Sequence, residues 1–337
     1  MSSLENPVSI ETAKGIIGQF KGTQAGGAPP GFRPVHAKGI LLTGTFTPTR
    51  IASTLTQAPH FSLPSVGITA RFSGVTGIPT TPDTDPLGLP GGFAIRFHLP
   101  EHDNSPEQEH QPHTDIISLG SPLFPTRTPE EFLRFLQATA ASPVGAPSPT
   151  PLEEFLKTHP VAKRFIESQN QFARGVATRT YWAQHAFRLI NAKGVSKFVR
   201  YQLRPVGGNE FLGPEQVIGK GPNYLYDELP VWVAEGRVEF RLVAQIAAED
   251  DKTDDITVLW PDSREVVELG TVKLDTILPE EEQDDEQNKI VFDPMPRVVG
   301  IEPSADPILP VRSAAYLMSG RERRVARVEL KHRLCAR

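Results

Sequence analysis

Hydrophobic residues recur along this chain in short runs with a period of two, punctuated by proline and glycine clusters. The runs VHAKGILLTGTF (35–46), VGITARFSGV (66–75), GGFAIRFHL (91–99) and TDIISL (114–119) have this form. So do YWAQHAFRLIN (181–191), SKFVRYQLRP (196–205), RVEFRLVAQIA (237–247) and SREVVELGTVKL (263–274). Such alternation predicts strands with one buried face. Over 130–140 the period becomes helical: Phe132, Phe135 and Leu136 share a face, Pro129 precedes them, and Glu130 and Glu131 fill the first turn. A Pro/Ser/Gly linker, ASPVGAPSPTP (141–151), leads to a second helical stretch near 152–168. A short helical pattern around Ile10 to Phe20 precedes GTQAGGAPPG, so residues 1–31 read as an N-terminal arm and 32–337 as a single domain. The acidic run EEEQDD (280–285) reads as a solvated loop. Strands, a helix pair and then four more strands predict an α+β fold. Its centre is a closed or nearly closed antiparallel barrel with helices packed outside and long irregular connections. A lipocalin-like binding barrel produces a similar pattern.

Composition narrows the class. At 337 residues the chain can bury a sizeable core with space for a cofactor. A net charge of −5 gives no electrostatic case for nucleic acid. The 33 prolines sit among apolar segments throughout, which points to stiff irregular connections rather than disorder. Cys335 is the only cysteine, so neither an internal disulfide nor a thiolate cluster can form. The N-terminus has acids before any apolar run and reads as neither a signal peptide nor a membrane anchor, making a reducing, bacterial-type cytoplasm the default location.

The segment DPMPRVVGIEPSADPILPVRSAAYLMSGRERR (293–324) resembles the proximal haem segment of catalases, where Asp-Pro, Gly-Ile-Glu-Pro-Ser and Arg-x-x-x-Tyr follow in order. RPVHAKG (33–39) resembles the distal histidine motif and RFSGV (71–75) the distal serine strand, while DPLGLPGGFAIRF (85–97) resembles the glycine-containing strand after it. SPLFPTRTPEEF (121–132), QHAFRLINAKG (184–194) and VLWPDSREVVELGTVKLD (258–275) also align. The chain is similar to the catalase superfamily over about 33–324, and in size to its small catalase-related peroxidases, without the C-terminal domain of large catalases.

The resemblance implies an eight-stranded catalase-type barrel and a haem b cofactor. It assigns Tyr316 as axial iron ligand, with Arg312 one helical turn earlier. A cation so placed favours the phenolate, and an anionic oxygen donates electron density to the iron. His36 becomes the distal acid/base, because a neutral imidazole can take a proton from one peroxide oxygen and give it to the other. Ser73 matches the serine that orients that histidine. Arg33, Arg71 and Arg323 match arginines that meet the haem propionates, and Phe132 an aromatic residue packed on the haem plane. The histidines of HLPEHDNSPEQEHQPH (98–113), with His159 and His185, lack the regular spacing of a metal site.

In one respect the chain departs from catalases. Their distal asparagine, which hydrogen-bonds peroxide, aligns with Leu119 or Gly120, and no Asn or Gln occurs between 112 and 136. Leucine offers no hydrogen bond to the second peroxide that dismutation consumes. The expectation is therefore weak catalase activity and peroxidase turnover, with a small-molecule electron donor and hydrogen peroxide or organic hydroperoxides. An alternative is rearrangement of fatty-acid hydroperoxides to allene oxides or epoxides. The allene oxide synthases of this scaffold carry a threonine before the distal histidine, where this chain has Val35. A haem carrier without enzymatic activity has no use for His36 backed by Ser73. Small members of the family are often homodimers, and an arm such as 1–31 can reach a neighbouring subunit. No nicotinamide nucleotide is expected.

Overall fold

The computed structural model describes residues 7–22, 28–100, 112–169 and 171–335. Helix α1 (Pro7–Gly22) precedes an antiparallel meander of β1 (Gly39–Pro48), β2 (Val66–Ser73), β3 (Gly92–His98) and β4 (His113–Leu119). Helices α2 (Pro129–Ala140), α3 (Pro151–Thr158) and α4 (Pro160–Glu167) follow. Then come β5 (Tyr181–Trp182), β6 (Phe187–Ile190), β7 (Ser196–Pro205), β8 (Glu239–Ile246) and β9 (Val266–Ile277). Strand β9 pairs with both β8 and β1, β8 pairs with β7, and β5 joins β4 to β7. These pairings close an antiparallel barrel of eight strands, with β6 and β10 (Ile301–Pro303) as an extension beside β7. Helices α5 (Glu280–Lys289) and α6 (Ile308–Cys335) flank β10 in sequence.

The two-residue period decides what each face of a strand meets. Ile68, Ala70 and Phe72 of β2 and Phe93, Ile95 and Phe97 of β3 belong to the buried core shared by all the barrel strands. Phe72 stacks on Phe93 at 4.3 Å, and Phe93 meets Phe240 at 4.9 Å and Tyr181 at 5.3 Å. Side chains therefore fill the barrel, unlike a lipocalin-like cup. The alternate residues Arg71, Ser73, Gly92 and Ala94 face outward, where the functional cavity lies.

Three readings of the sequence need correction. YWAQHAFRLIN is two short strands, because Gln184 and His185 leave the ladder for other partners: Gln184 Nε2 donates to the Ser121 and Leu123 carbonyls at 3.1 and 2.6 Å. The stretch 152–168 is two helices that meet at His159–Pro160, since proline has no N–H with which to continue α3. The acidic run is not a loop but helix α5, whose inward residues are amides rather than hydrophobics. A hydrophobic period cannot reveal such a helix.

Local chemistry sets the helices over the barrel. Thr128 and Glu131 form a reciprocal capping box at the start of α2, and Pro129 occupies the first turn. Helix α1 packs Ala13 and Ile16 against Val311 and Ala314 of α6, and Lys21 pairs with Glu322 at 2.7 Å. Among the described residues, no helix is long and apolar enough to cross a membrane.

His60 is fully buried, its ring tilted against Phe61 at 4.2 Å and Phe97 at 4.8 Å, and among the described residues neither ring nitrogen has a hydrogen-bond partner. Burial lowers its pKa from 6.5 to about 3. Below pH 6.5 the unfolded chain gains a proton that the folded chain refuses, so stability present above that pH is lost as the pH falls towards 3. His60→Leu is expected to flatten the decline in stability between pH 7 and 4, by up to ~1.4 kcal/mol per pH unit below the unfolded pKa. Parallel pH profiles of denaturant unfolding for the two proteins would count against this.

Candidate active site

His36 lies just before β1 with φ 60°, the only described residue other than glycine in the left-handed region. Such a backbone costs ~1–3 kcal/mol and persists only where surroundings enforce it. Here the turn directs the imidazole into a cavity between the barrel wall and helices α1, α2 and α6. Its Nδ1 lies 2.7 Å from the Gly74 carbonyl and 3.1 Å from Ser73 Oγ. A carbonyl oxygen only accepts, so Nδ1 carries the proton and Nε2 is left as a base. The Gly74 carbonyl, more than Ser73, thus sets the tautomer. Burial, followed by the charges of Arg71, Arg312 and Arg33, lowers the pKa of His36 from 6.5 to about 3 against the opposing Gly74 bond, so the ring is neutral at physiological pH. Gly92 makes room: a Cβ there would stand 2.8 Å from Ser73 Oγ and 3.1 Å from the His36 ring.

Tyr316 enters the same cavity from α6. Asp306 starts this helix by accepting from the Ile308 N–H at 2.9 Å, and its other oxygen meets His185 Nδ1 at 3.0 Å in a buried pair. Burial holds His185 below its ordinary pKa. Ile308, Arg312, Tyr316, Ser319 and Arg323 recur every three or four residues and all line the cavity. The Arg312 Nε–H donates to the Tyr316 hydroxyl at 2.9 Å.

Arg33, Arg71 and Arg323 form a cationic edge. None has an ion pair with a carboxylate among the described residues; they are held by neutral acceptors. The Ile290 carbonyl accepts from Arg33 at 3.1 Å and from Arg323 at 3.3 Å, and Gln287 Oε1 accepts from Arg71 Nε at 2.8 Å. Burial lowers the Arg71 pKa to about 10, and burial with repulsion from Arg71 does the same to Arg323. Arg33 is pushed well down by burial and by both neighbouring guanidiniums. Buried cations repelling one another need an anion close by.

The cavity of about 380 Å3 collects every residue to which the resemblance gives a role at the haem: Arg33, His36, Arg71, Ser73, Phe132, Arg312, Tyr316 and Arg323. Leu119 lines it and Gly120 does not; Gly120 packs against the Arg179 guanidinium and the Pro90 carbonyl. No asparagine or glutamine is among its described lining residues. His98 and His113 face each other across β3 and β4, and His159 stacks on Phe155 at 3.8 Å, while His102 and His110 lie outside the described residues. Periodicity missed the Gly74 carbonyl, Gln287, the Ile290 carbonyl and the cavity wall of Ile16, Ile17 and Phe20 from α1. Only the Gln283/Gln287 spacing, four residues apart in an acid run, could have flagged the second of these.

An apolar slot with unneutralised cations at one edge, and a phenol and a neutral imidazole in its lining, fits a flat dianionic group carrying a metal. That group is haem, and the protein is a haem-containing oxidoreductase that acts on peroxide. The chain belongs to the catalase family, whose model, described as Catalase, matches residues 31–330. A catalase-related peroxidase of Mycolicibacterium paratuberculosis is 38% identical, over 90% of this chain and 92% of its own. A second, from Synechococcus elongatus, is 30% identical over 90% of this chain and 86% of its own. Among solved structures, catalase A of Saccharomyces cerevisiae matches 88% of this chain with a TM-score of 0.73 at 22% identity. This chain spans only 62% of that catalase's length.

Proposed function

We propose that this protein is a haem-dependent peroxidase that cleaves hydrogen peroxide or organic hydroperoxides, with His36 as distal acid/base and the Tyr316 phenolate as axial iron ligand. The observation that carries the reading is the convergence of His36 and the Arg312–Tyr316 pair on one cavity with an anion-seeking edge. Haem held there would supply redox-active iron for the two-electron cleavage of a peroxide O–O bond. His36 Nε2, left unprotonated by the Gly74 bond, would take the proton from one peroxide oxygen and deliver it to the other, departing oxygen. The Arg312 N–H at 2.9 Å steadies the Tyr316 oxygen as an anion. Arg33, Arg71 and Arg323 bind the propionates, and Phe132 packs on the ring.

Leu119 stands where a donor to a second peroxide would be needed, which favours a peroxidase over a catalase. The apolar wall of Ile16, Ile17, Phe20 and Phe165 suits hydroperoxides and electron donors that carry hydrocarbon. The test compares oxygen release from hydrogen peroxide with oxidation of a phenolic dye. Sustained dye oxidation with little oxygen is expected, and Leu119→Asn should shift turnover towards oxygen. Vigorous oxygen release by the unmodified protein would sink the proposal.

A further inference from the structure

Helix α5 divides its residues by charge in a way its position explains. Glu280, Glu281, Glu282 and Asp284 are exposed, whereas the residues that reach the barrel and the cationic edge are neutral amides: Gln283, Gln287 and Asn288. Gln283 clasps Leu41, accepting from its N–H at 2.9 Å and donating to its carbonyl at 2.8 Å. Gln287 donates to the Gly39 carbonyl at 3.2 Å and accepts from Arg71 at 2.8 Å. Asn288 donates to the Arg323 and Gly31 carbonyls, both at 3.3 Å. Just past the helix end, the Ile290 carbonyl takes Arg33 and Arg323 together. Gly39 is part of the fit, since a Cβ there would collide with the Arg71 guanidinium at 2.4 Å.

A glutamate at 287 could accept the same hydrogen bond from Arg71. It would also cancel the charge of a guanidinium already almost out of water, at 4% exposure. A glutamine fixes the guanidinium and leaves its charge free for a ligand.

We propose that α5 is the haem-retention clasp of this protein, with Gln287 a positioning residue that aims Arg71 at the cavity without neutralising it. The inference rests on the haem site proposed above. The amide orients the cation, the Ile290 carbonyl orients the other two, and the exposed acids keep their charge on the solvent side. The three guanidiniums then present their full charge to the two propionates.

The test follows transfer of haem from the loaded protein to excess apomyoglobin, alongside the thermal midpoint of the haem-free protein. Gln287→Glu is expected to lose haem about tenfold faster than the unmodified protein, in the range of outer-shell changes at metal sites, with no fall in the haem-free midpoint. Gln287→Ala, which removes the acceptor of Arg71 Nε and leaves the guanidinium its bond to the Ala37 carbonyl at 3.2 Å, should also lose haem faster. Glu281→Gln on the exposed face should match the unmodified protein in both measurements. Retention of haem by Gln287→Glu at the unmodified rate overturns the inference alone. So does a fall in the haem-free midpoint that accounts for the loss, since Gln287 would then be holding the fold rather than the cation. Failure of the unmodified protein to take up haem would overturn the underlying reading and this inference with it.

Discussion

Tyr316→Phe is expected to yield a folded protein that no longer carries haem in a ferric, oxygen-ligated state. The substitution keeps the ring and its place on α6 and removes one atom, the oxygen that the Arg312 N–H holds at 2.9 Å. Phenylalanine offers no ligand to iron, and the guanidinium beside it loses its acceptor. Activity should fall by more than the ~10–100-fold typical of changes outside the ligand shell. The absorption spectrum of the purified variant is the measurement: the unmodified protein should show a high-spin ferric haem that responds to peroxide, and the variant should not. A variant that purifies with full haem and an unaltered spectrum would remove Tyr316 from the iron. Arg312→Leu is the companion, expected to retain some haem with an altered spectrum, because the proposed ligand survives while its cationic partner is gone.

The second large effect belongs to His36. His36→Ala should bind haem normally, since the ring lines the cavity without being the proposed iron ligand, and cleave peroxide about 10²–10⁴-fold more slowly. Separating haem content from rate distinguishes this variant from Tyr316→Phe. The pH dependence carries further information. With the pKa of His36 lowered to about 3 by burial and by Arg71, Arg312 and Arg33, the neutral base is present well below the ordinary range of histidine. The rate of peroxide cleavage should therefore be flat from pH 8 down to pH 5 and decline only towards 3. An acid limb centred near 6.5 would mean that the charge-depressed imidazole is not the base. Ser73→Ala should be the milder change of the pair, because the Gly74 carbonyl at 2.7 Å still holds Nδ1–H.

Much of this site was legible in the residues themselves. Arg312, Tyr316 and Arg323 sit at four- and seven-residue spacings on one helix, so their common face follows from helical geometry alone. Arg71 and Ser73 are two apart on a strand and share a face for the same reason. Helix α5 is not marked by a hydropathy pattern because its inward face is polar; the half-buried Gln283 and Gln287 are held by hydrogen bonds to Leu41, Gly39 and Arg71. The left-handed turn at His36 is equally silent in sequence, since nothing in RPVHAKG demands a positive φ there.

The sequence by itself determined the strand faces, the proline- and acid-led start of α2, the spacing of the α6 residues and the lack of an Asn or Gln at 119 or 120, because each depends on neighbours a few residues apart. Tertiary structure decided that the barrel interior is filled and the cavity lies on its outer wall, that α1 walls that cavity, and that Leu119 rather than Gly120 faces it. It also decided that one backbone carbonyl, Ile290, steadies two cations from opposite ends of the chain. These contacts join residues up to 257 positions apart, and their geometry exists only once the barrel has closed.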